Sequence, residues 1–331
     1  MIFIGEHGKI IMDKIIISGA TGVIGIALVH YALEQQIQVL AICHRGSKRI
    51  SRLPLGKGLQ ILELDLEEYA DFINAGKERE YLGEYDCFFH LAWRGTTGAA
   101  RNDMKLQLQN IQYTLDAVDL AASLGCKCFV GAGSQAEYVR VGGVMSSETP
   151  AFPENGYGMA KLCSGQMSRL RCRQLNMKHI WARILSVYGP GDAEGSLVMS
   201  AVLGFLGQCE TQFTAGLQKW DYLYSKDAAR ILIGISKYGR DGQVFCVGSG
   251  RILDLKEYIH QIYKVITGRE GTDEELGIGK RVYADKQVMY LQADITEWPA
   301  ELKQEFIGNP MCCFEEGVRE TVDWSRKFIR R

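Results

Sequence analysis

The sequence predicts an α/β protein: a doubly wound parallel sheet with a smaller mixed α/β lobe beside it. Three observations carry this. Short apolar runs alternate with longer amphipathic stretches through the first half of the chain; the first run passes directly into a glycine-rich turn that opens a helix; and beyond Pro153 the alternation is replaced by shorter, mixed segments. Regular strand–helix alternation implies right-handed βαβ crossovers, and so parallel strands covered on both faces.

The apolar runs at 15–18, 39–43, 59–64, 87–91 and 128–131 read as buried strands. Between them, 104–124 is the clearest helix, with Leu108, Ile111, Leu115, Val118 and Ala122 recurring at spacings of three or four. Gly125 is placed to stop it. A further helix begins near Tyr157, a sixth strand follows at 179–185, and Tyr188-Gly-Pro-Gly breaks the chain. Residues 244–247 read as a strand returning to the sheet. The expected division is a main domain over 12–185 and a substrate-binding lobe over 186–331, with 1–11 as an N-terminal extension.

The chain has 331 residues, 38 basic against 39 acidic, for a net charge of −1. That balance leaves no electrostatic footprint for nucleic acid or an anionic membrane. The stretch 15–33 contains no charged residue and is long enough to span a bilayer. Gly19, Gly22 and Gly25 divide it into strand, turn and helix start, so it reads as a buried βα unit. No secretory signal opens the chain. The ten cysteines show no Cys-x-x-Cys or zinc-ligand spacing and read as reduced thiols of a cytoplasmic protein, with no metal expected.

Gly19-Ala-Thr-Gly22-Val-Ile-Gly25 follows strand one directly. A helix N-terminus offers unpaired N–H groups and a positive dipole end to a pyrophosphate. Gly19 suits the tight turn, Gly22 the approach of phosphate to backbone, and Gly25 close packing of helix on strand. This is the pattern of a Rossmann-type dinucleotide site, with Gly19, Thr21, Gly22, Val23, Ile24 and Gly25 as its candidate contacts. At the end of strand two, where a carboxylate usually holds the adenosine ribose, stands Cys43-His-Arg45-Gly-Ser-Lys48-Arg49. A guanidinium there suits a 2′-phosphate, which favours NADP over NAD; a solvated basic loop is the plain alternative. Asp65 is either a polar contact to adenine or an ordinary strand-end aspartate.

Tyr157 and Lys161 lie at i, i+4 on one helical face, and Ser134 ends the fifth strand, at the sheet edge where open α/β sheets bind ligands. A phenol working near neutrality needs its pKa lowered by roughly 3 units, about 4 kcal/mol. One ammonium at ~4 Å supplies about that at an effective dielectric of 20. Lys161 can thus make Tyr157 a general acid/base while Ser134 hydrogen-bonds the reacting oxygen.

With these motifs, His90-Leu-Ala92, Asn110-Ile-Gln-Tyr-Thr114, Arg183-Ile-Leu-Ser-Val-Tyr188-Gly-Pro and Trp220-Asp-Tyr-Leu-Tyr-Ser-Lys-Asp227, the chain from Lys14 onward resembles the extended short-chain dehydrogenases/reductases of the nucleotide-sugar epimerase/dehydratase family. The resemblance implies a Ser134–Tyr157–Lys161 triad and bound NAD or NADP. It also implies further cofactor contacts at Leu66, Leu91 and Ala92, a nucleotide-sugar substrate, and a homodimer formed through the helices at 104–124 and after Tyr157.

Departures from the family pattern narrow the reaction. The 4,6-dehydratases carry Asp-Glu after the catalytic hydroxyl residue, and this chain has Gln135-Ala136. Ser186 and Trp220 stand where the family often has the Asn and Arg of its diphosphate grip. Trp93 and Trp220 are either sugar or base platforms or core tryptophans. The expectation is a 4-ketoreductase of a 4-keto-6-deoxy nucleotide sugar. A 4-epimerase with bound NAD, a reductase of a non-sugar carbonyl compound and a non-catalytic dinucleotide sensor are the alternatives.

Overall fold

A computed structural model describes residues 12–138, 140, 142–283 and 288–329; the expected extension at 1–11 lies outside them. In chain order the first half comprises β1 (Lys14–Ser18), α1 (Val23–Glu34), β2 (Gln38–Cys43), β3 (Leu59–Glu63), α2 (Tyr69–Asn74), β4 (Cys87–His90), α3 (Met104–Ser123) and β5 (Cys128–Ser134). Next come α4 (Gly156–Gln174), β6 (Lys178–Ile184), β7 (Ser186–Tyr188), α5 (Leu197–Phe205), β8 (Lys219–Trp220), β9 (Tyr222–Tyr224) and α6 (Ser225–Tyr238). The chain continues with β10 (Gln243–Val247), β11 (Leu253–Asp254), α7 (Leu255–Thr267), α8 (Asp273–Leu276), α9 (Ala300–Gly308) and α10 (Phe314–Ile329).

Seven strands form one parallel sheet in the order β10-β6-β5-β4-β1-β2-β3. The strand order reverses beside β1, and ligands of such sheets bind at that switch point, outside the carboxyl ends of the strands. Side-chain alternation sorts the core into two layers. Ile15, Ile17, Val39 and Phe89 pack with α1 and α6 residues such as Leu28 and Ile231. Ile16, Leu40, Phe88 and Phe129 pack with α3 residues such as Val118 and Ala121. As the sequence reading expected, the strand near 244 returns to the sheet, with β10 pairing parallel with β6. β3 differs: it closes the sheet, and Gln60, Ile61 and Glu63 are exposed. An edge strand has no neighbour on one side to complete its cover.

The remaining strands make two small pairs, β7 with β9 and β8 with β11. Around them α5, α7 and α10 enclose a third core that includes Tyr188, Val202, Ile259 and Val318. Among the described residues no helix is long and apolar enough to cross a membrane. No group of three or more His, Cys, Asp or Glu among them is placed to hold a metal. All ten cysteines are free thiols.

Candidate active site

The carboxyl ends of β1, β2, β3 and β4 frame a cleft of about 690 Å³, within the range of small-molecule sites. Its floor is the glycine turn. Gly19 has φ +71°, and a Cβ there would lie 2.7 Å from the Ala92 nitrogen. A Cβ at Gly25 would lie 2.7 Å from the Ala20 Cα. The turn therefore packs tightly against β1 and the segment after β4. Gly22 then caps α1 with no side chain of its own in the way, so the first N–H groups of the helix face the cleft wall. Thr21, Val23, Ile24, Leu91, Ala92, Asp65 and Leu66 line the same space. A backbone cradle closed to side chains at a helix N-terminus fits a dinucleotide pyrophosphate.

Arg45 requires a correction. Its guanidinium makes two hydrogen bonds to Glu68, of 2.9 and 3.0 Å, and is not among the groups lining the cleft. Glu68 is also the partner of Asp65 in a capping box: the Asp65 side chain accepts the Glu68 amide, and Glu68 Oε2 accepts the Asp65 amide at 2.9 Å; Asp65 Oδ1 also accepts the Arg45 amide at 2.9 Å. A carboxylate fixed this way draws the nearest guanidinium to itself. The basic residues that do line the cleft are His44, Arg49 and Arg94, the last paired with Glu67.

Ser134, Tyr157 and Lys161 lie beside the cleft, next to Trp93 and Ala132, which line it. Ser134 ends β5, and its hydroxyl accepts the Ala136 amide at 3.2 Å. Tyr157 stands in the first turn of α4, which Asn155 caps by accepting the Gly158 amide at 2.9 Å. Burial raises the proton affinity of the phenol, while a hydrogen bond with Ser134 and the charge of Arg101 lower it and Glu137 raises it further.

Lys161 departs from the expected arrangement. Its amine donates to the Ala132 carbonyl at 2.6 Å, lies 3.6 Å from the Trp93 ring centroid, and is 5.8 Å from the centre of the Tyr157 ring. Burial, partly opposed by Glu137, depresses its pKa to about 7. A carbonyl and an indole face thus hold the amine beside the Tyr157 ring. Trp93 is no detached core residue: its indole meets Tyr157 edge-on at 6.0 Å, donates to Gln107 at 3.0 Å and forms part of the cleft wall.

Two residues near the triad escaped the sequence reading. Glu137, fully buried, accepts hydrogen bonds from the Ser134 amide, the Trp181 indole and Arg183. Its signal was present as Ser134-x-x-Glu137, the spacing of a capping box. Arg101, in a 3-10 turn before α3, lies with its guanidinium carbon 4.3 Å from the centre of the Tyr157 ring. No periodicity marks it. Ser186 and Trp220 lie together, the indole N–H donating to the Ser186 hydroxyl.

A Rossmann-type sheet with a glycine cradle at its switch point defines a dinucleotide-binding class of fold. The profile of the NAD dependent epimerase/dehydratase family matches residues 15–248, and the chain belongs to that family. It is 23% identical over 256 residues to dTDP-4-dehydro-6-deoxyglucose reductase of Escherichia coli, covering 76% of this chain and 81% of that one. It is 30% identical over 150 residues to dTDP-6-deoxy-L-talose 4-dehydrogenase (NAD(+)) of Aggregatibacter actinomycetemcomitans, and this match spans about half of each chain, 45% here and 51% there. Among solved structures, UDP-glucuronic acid 4-epimerase of Bacillus cereus, in complex with UDP-glucuronic acid and NAD, is similar with a TM-score of 0.76 at 18% identity, covering 95% of this chain and 99% of that one.

Proposed function

We propose that this protein is an NAD(P)-dependent enzyme that reduces the C4 carbonyl of a 4-keto-6-deoxy nucleotide sugar, with Ser134, Tyr157 and Lys161 as its triad. The observation that carries the reading is the end of β5. The Ser134 hydroxyl and Tyr157 phenol are paired there, and the residues that follow, Gln135 and Ala136, are not an Asp-Glu pair; the carboxylate lining the same space, Glu154, is paired with Arg140. Proton transfer at a carbonyl oxygen is provided for, and acid–base elimination of water is not. The printed names of both curated relatives given above, a C4 dehydrogenase and a 4-dehydro-sugar reductase, support the same carbon.

Bound NAD(P) would supply the hydride. Tyr157 delivers its proton to the C4 oxygen as the alcohol forms, and Ser134 holds that oxygen by a hydrogen bond. Lys161 holds the cofactor end of the cleft from Ala132. Ser186 and Trp220 contact the nucleotide-sugar side. Arg49 and His44, in place of a ribose-binding carboxylate, favour NADP. The division into a dinucleotide domain over 12–185 and a substrate lobe over 186–331 belongs to the same reading, as does a cytoplasmic location. A homodimer is supported by Met104 and Leu108 on α3 and Met159, Met167 and Leu170 on α4, all exposed; the mass in solution tests it.

A 4-epimerase is the second reading, favoured by the hold of Glu68 on Arg45, which removes one cation from the 2′-phosphate position. One assay separates the two. With a 4-keto-6-deoxy nucleotide sugar, the reductase consumes added NADPH mole for mole, and Tyr157→Phe slows turnover by about 10²-fold or more with cofactor binding retained. Formation of the galacto epimer from UDP-glucose without reductant would replace this reading by the second.

A further inference from the structure

Lys161 was expected to supply the positive charge that ionises Tyr157, and a second cation lies against the same ring. The groups around the phenol come from five segments. Ser134 reaches it from β5, Glu137 from the turn after β5, Lys161 from α4 itself, Trp93 from the segment after β4, and Arg101 from the turn before α3. Glu137 is negative, and Arg183 occupies it at 2.9 Å. Trp93 and Ser134 are neutral. Lys161 is tied to Ala132, 5.8 Å from the ring centre, and burial lowers its pKa to about 7. Among the described residues, Arg101 is the permanent cation in contact with the Tyr157 ring.

That contact is built. The Arg101 Nη1 donates to the Thr96 carbonyl at 3.0 Å, which fixes the guanidinium within its own loop. Next to it, Asn102 Oδ1 accepts the Gly156 amide at 3.0 Å, which anchors the turn to the start of α4 one residue before Tyr157. A guanidinium stays charged at any pH a protein survives. It is attracted to the face of a phenol and more strongly to a phenolate, whose ring carries added negative charge. The interaction therefore favours the ionised form.

We propose that Arg101 is the positioning residue for Tyr157: held over the ring from the turn before α3, it supplies the fixed positive charge that tunes the phenol as an acid/base. This rests on the assignment of Tyr157 to proton transfer, and the test is chosen to stand apart from it.

The ultraviolet phenolate band is titrated in the substrate-free protein, with Tyr157→Phe subtracted to isolate this one tyrosine. Arg101→Gln is expected to move the midpoint upward by about one pH unit, a tenfold change in proton affinity. Arg101→Lys, which keeps the charge and loses the planar fork, is expected to recover at least half of the shift. Equal midpoints in the native protein and Arg101→Gln overturn the proposal. So does a shift that Arg101→Lys fails to reduce, because the effect is then one of shape, and so does a Tyr157 that ionises in neither protein. No substrate is present, so a failed titration removes the role of Arg101 and leaves the reaction assignment standing. A failed turnover assay does the reverse.

Discussion

Trp220 donates its indole N–H to the Ser186 hydroxyl at 2.8 Å, joining β8 to β7. In the family pattern these two positions often carry Arg and Asn. Here they are a large ring and a small hydroxyl that complement each other, so an arginine returned to position 220 alone would leave Ser186 without this donor.

The pair predicts a measurable coupling. Trp220→Phe removes the donor and keeps a ring; Ser186→Ala removes the acceptor. In a double-mutant cycle read by urea denaturation, the interaction energy is expected at about 0.5–1.5 kcal/mol, the net value of an ordinary hydrogen bond. A coupling within error of zero would mean that water replaces the bond in the single variants.

Cofactor preference should follow Arg49 and not Arg45. NADPH is expected to bind more tightly than NADH. Arg49→Ala should narrow the ratio by roughly tenfold, about 1.5 kcal/mol, the low end for a hydrogen bond to a charged group because this side chain is exposed. Arg45→Ala should change the ratio less, since Glu68 already engages that guanidinium. Titrations monitored by reduced-cofactor fluorescence decide it. Equal affinities in the native protein would overturn the NADP reading and strengthen the epimerase.

Strand positions were legible because buried parallel strands are continuous apolar runs, and where the reading stopped short there is a physical cause. The fifth strand was read from an apolar run at 128–131 with Ser134 at its carboxyl end, although glycine weakens a strand interior. It continues to Ser134 because Trp181 on β6, register partner of Gly131, lays its indole across Gly131 and Gly133. A Cβ at either glycine would collide with that ring. The glycines are a socket for a side chain fifty residues away, which no local pattern records. Side-chain direction was illegible for a similar reason. Arg45 and Arg49 sit in one basic loop, and only the placement of Glu68, after β3, separates them. Tyr157 and Lys161 do share a helical face as their spacing implied, yet Ala132 and Trp93 decide where the amine goes.

The buried amine of Lys161 should leave a mark on stability. Burial lowers its pKa from 10.5 in the free side chain to about 7 in the fold. Above 10.5 both the folded and the unfolded protein hold it neutral, and its full contribution is present. Between those values the unfolded chain binds the proton and the folded one does not, so stability rises with pH, by at most about 1.4 kcal/mol per unit. As pH falls through 7 the folded protein must carry the charge, and the contribution is gone. Lys161→Met cannot titrate, and other groups largely cancel in the difference between the two proteins. Denaturation of the cofactor-free proteins should therefore show the variant at its greatest advantage below pH 7. That advantage should shrink steadily toward pH 10, offset throughout by a constant loss of the Ala132 and Trp93 contacts. A difference that does not change with pH would mean that the amine keeps its proton in the fold, held as an ammonium by the Ala132 carbonyl and the Trp93 ring.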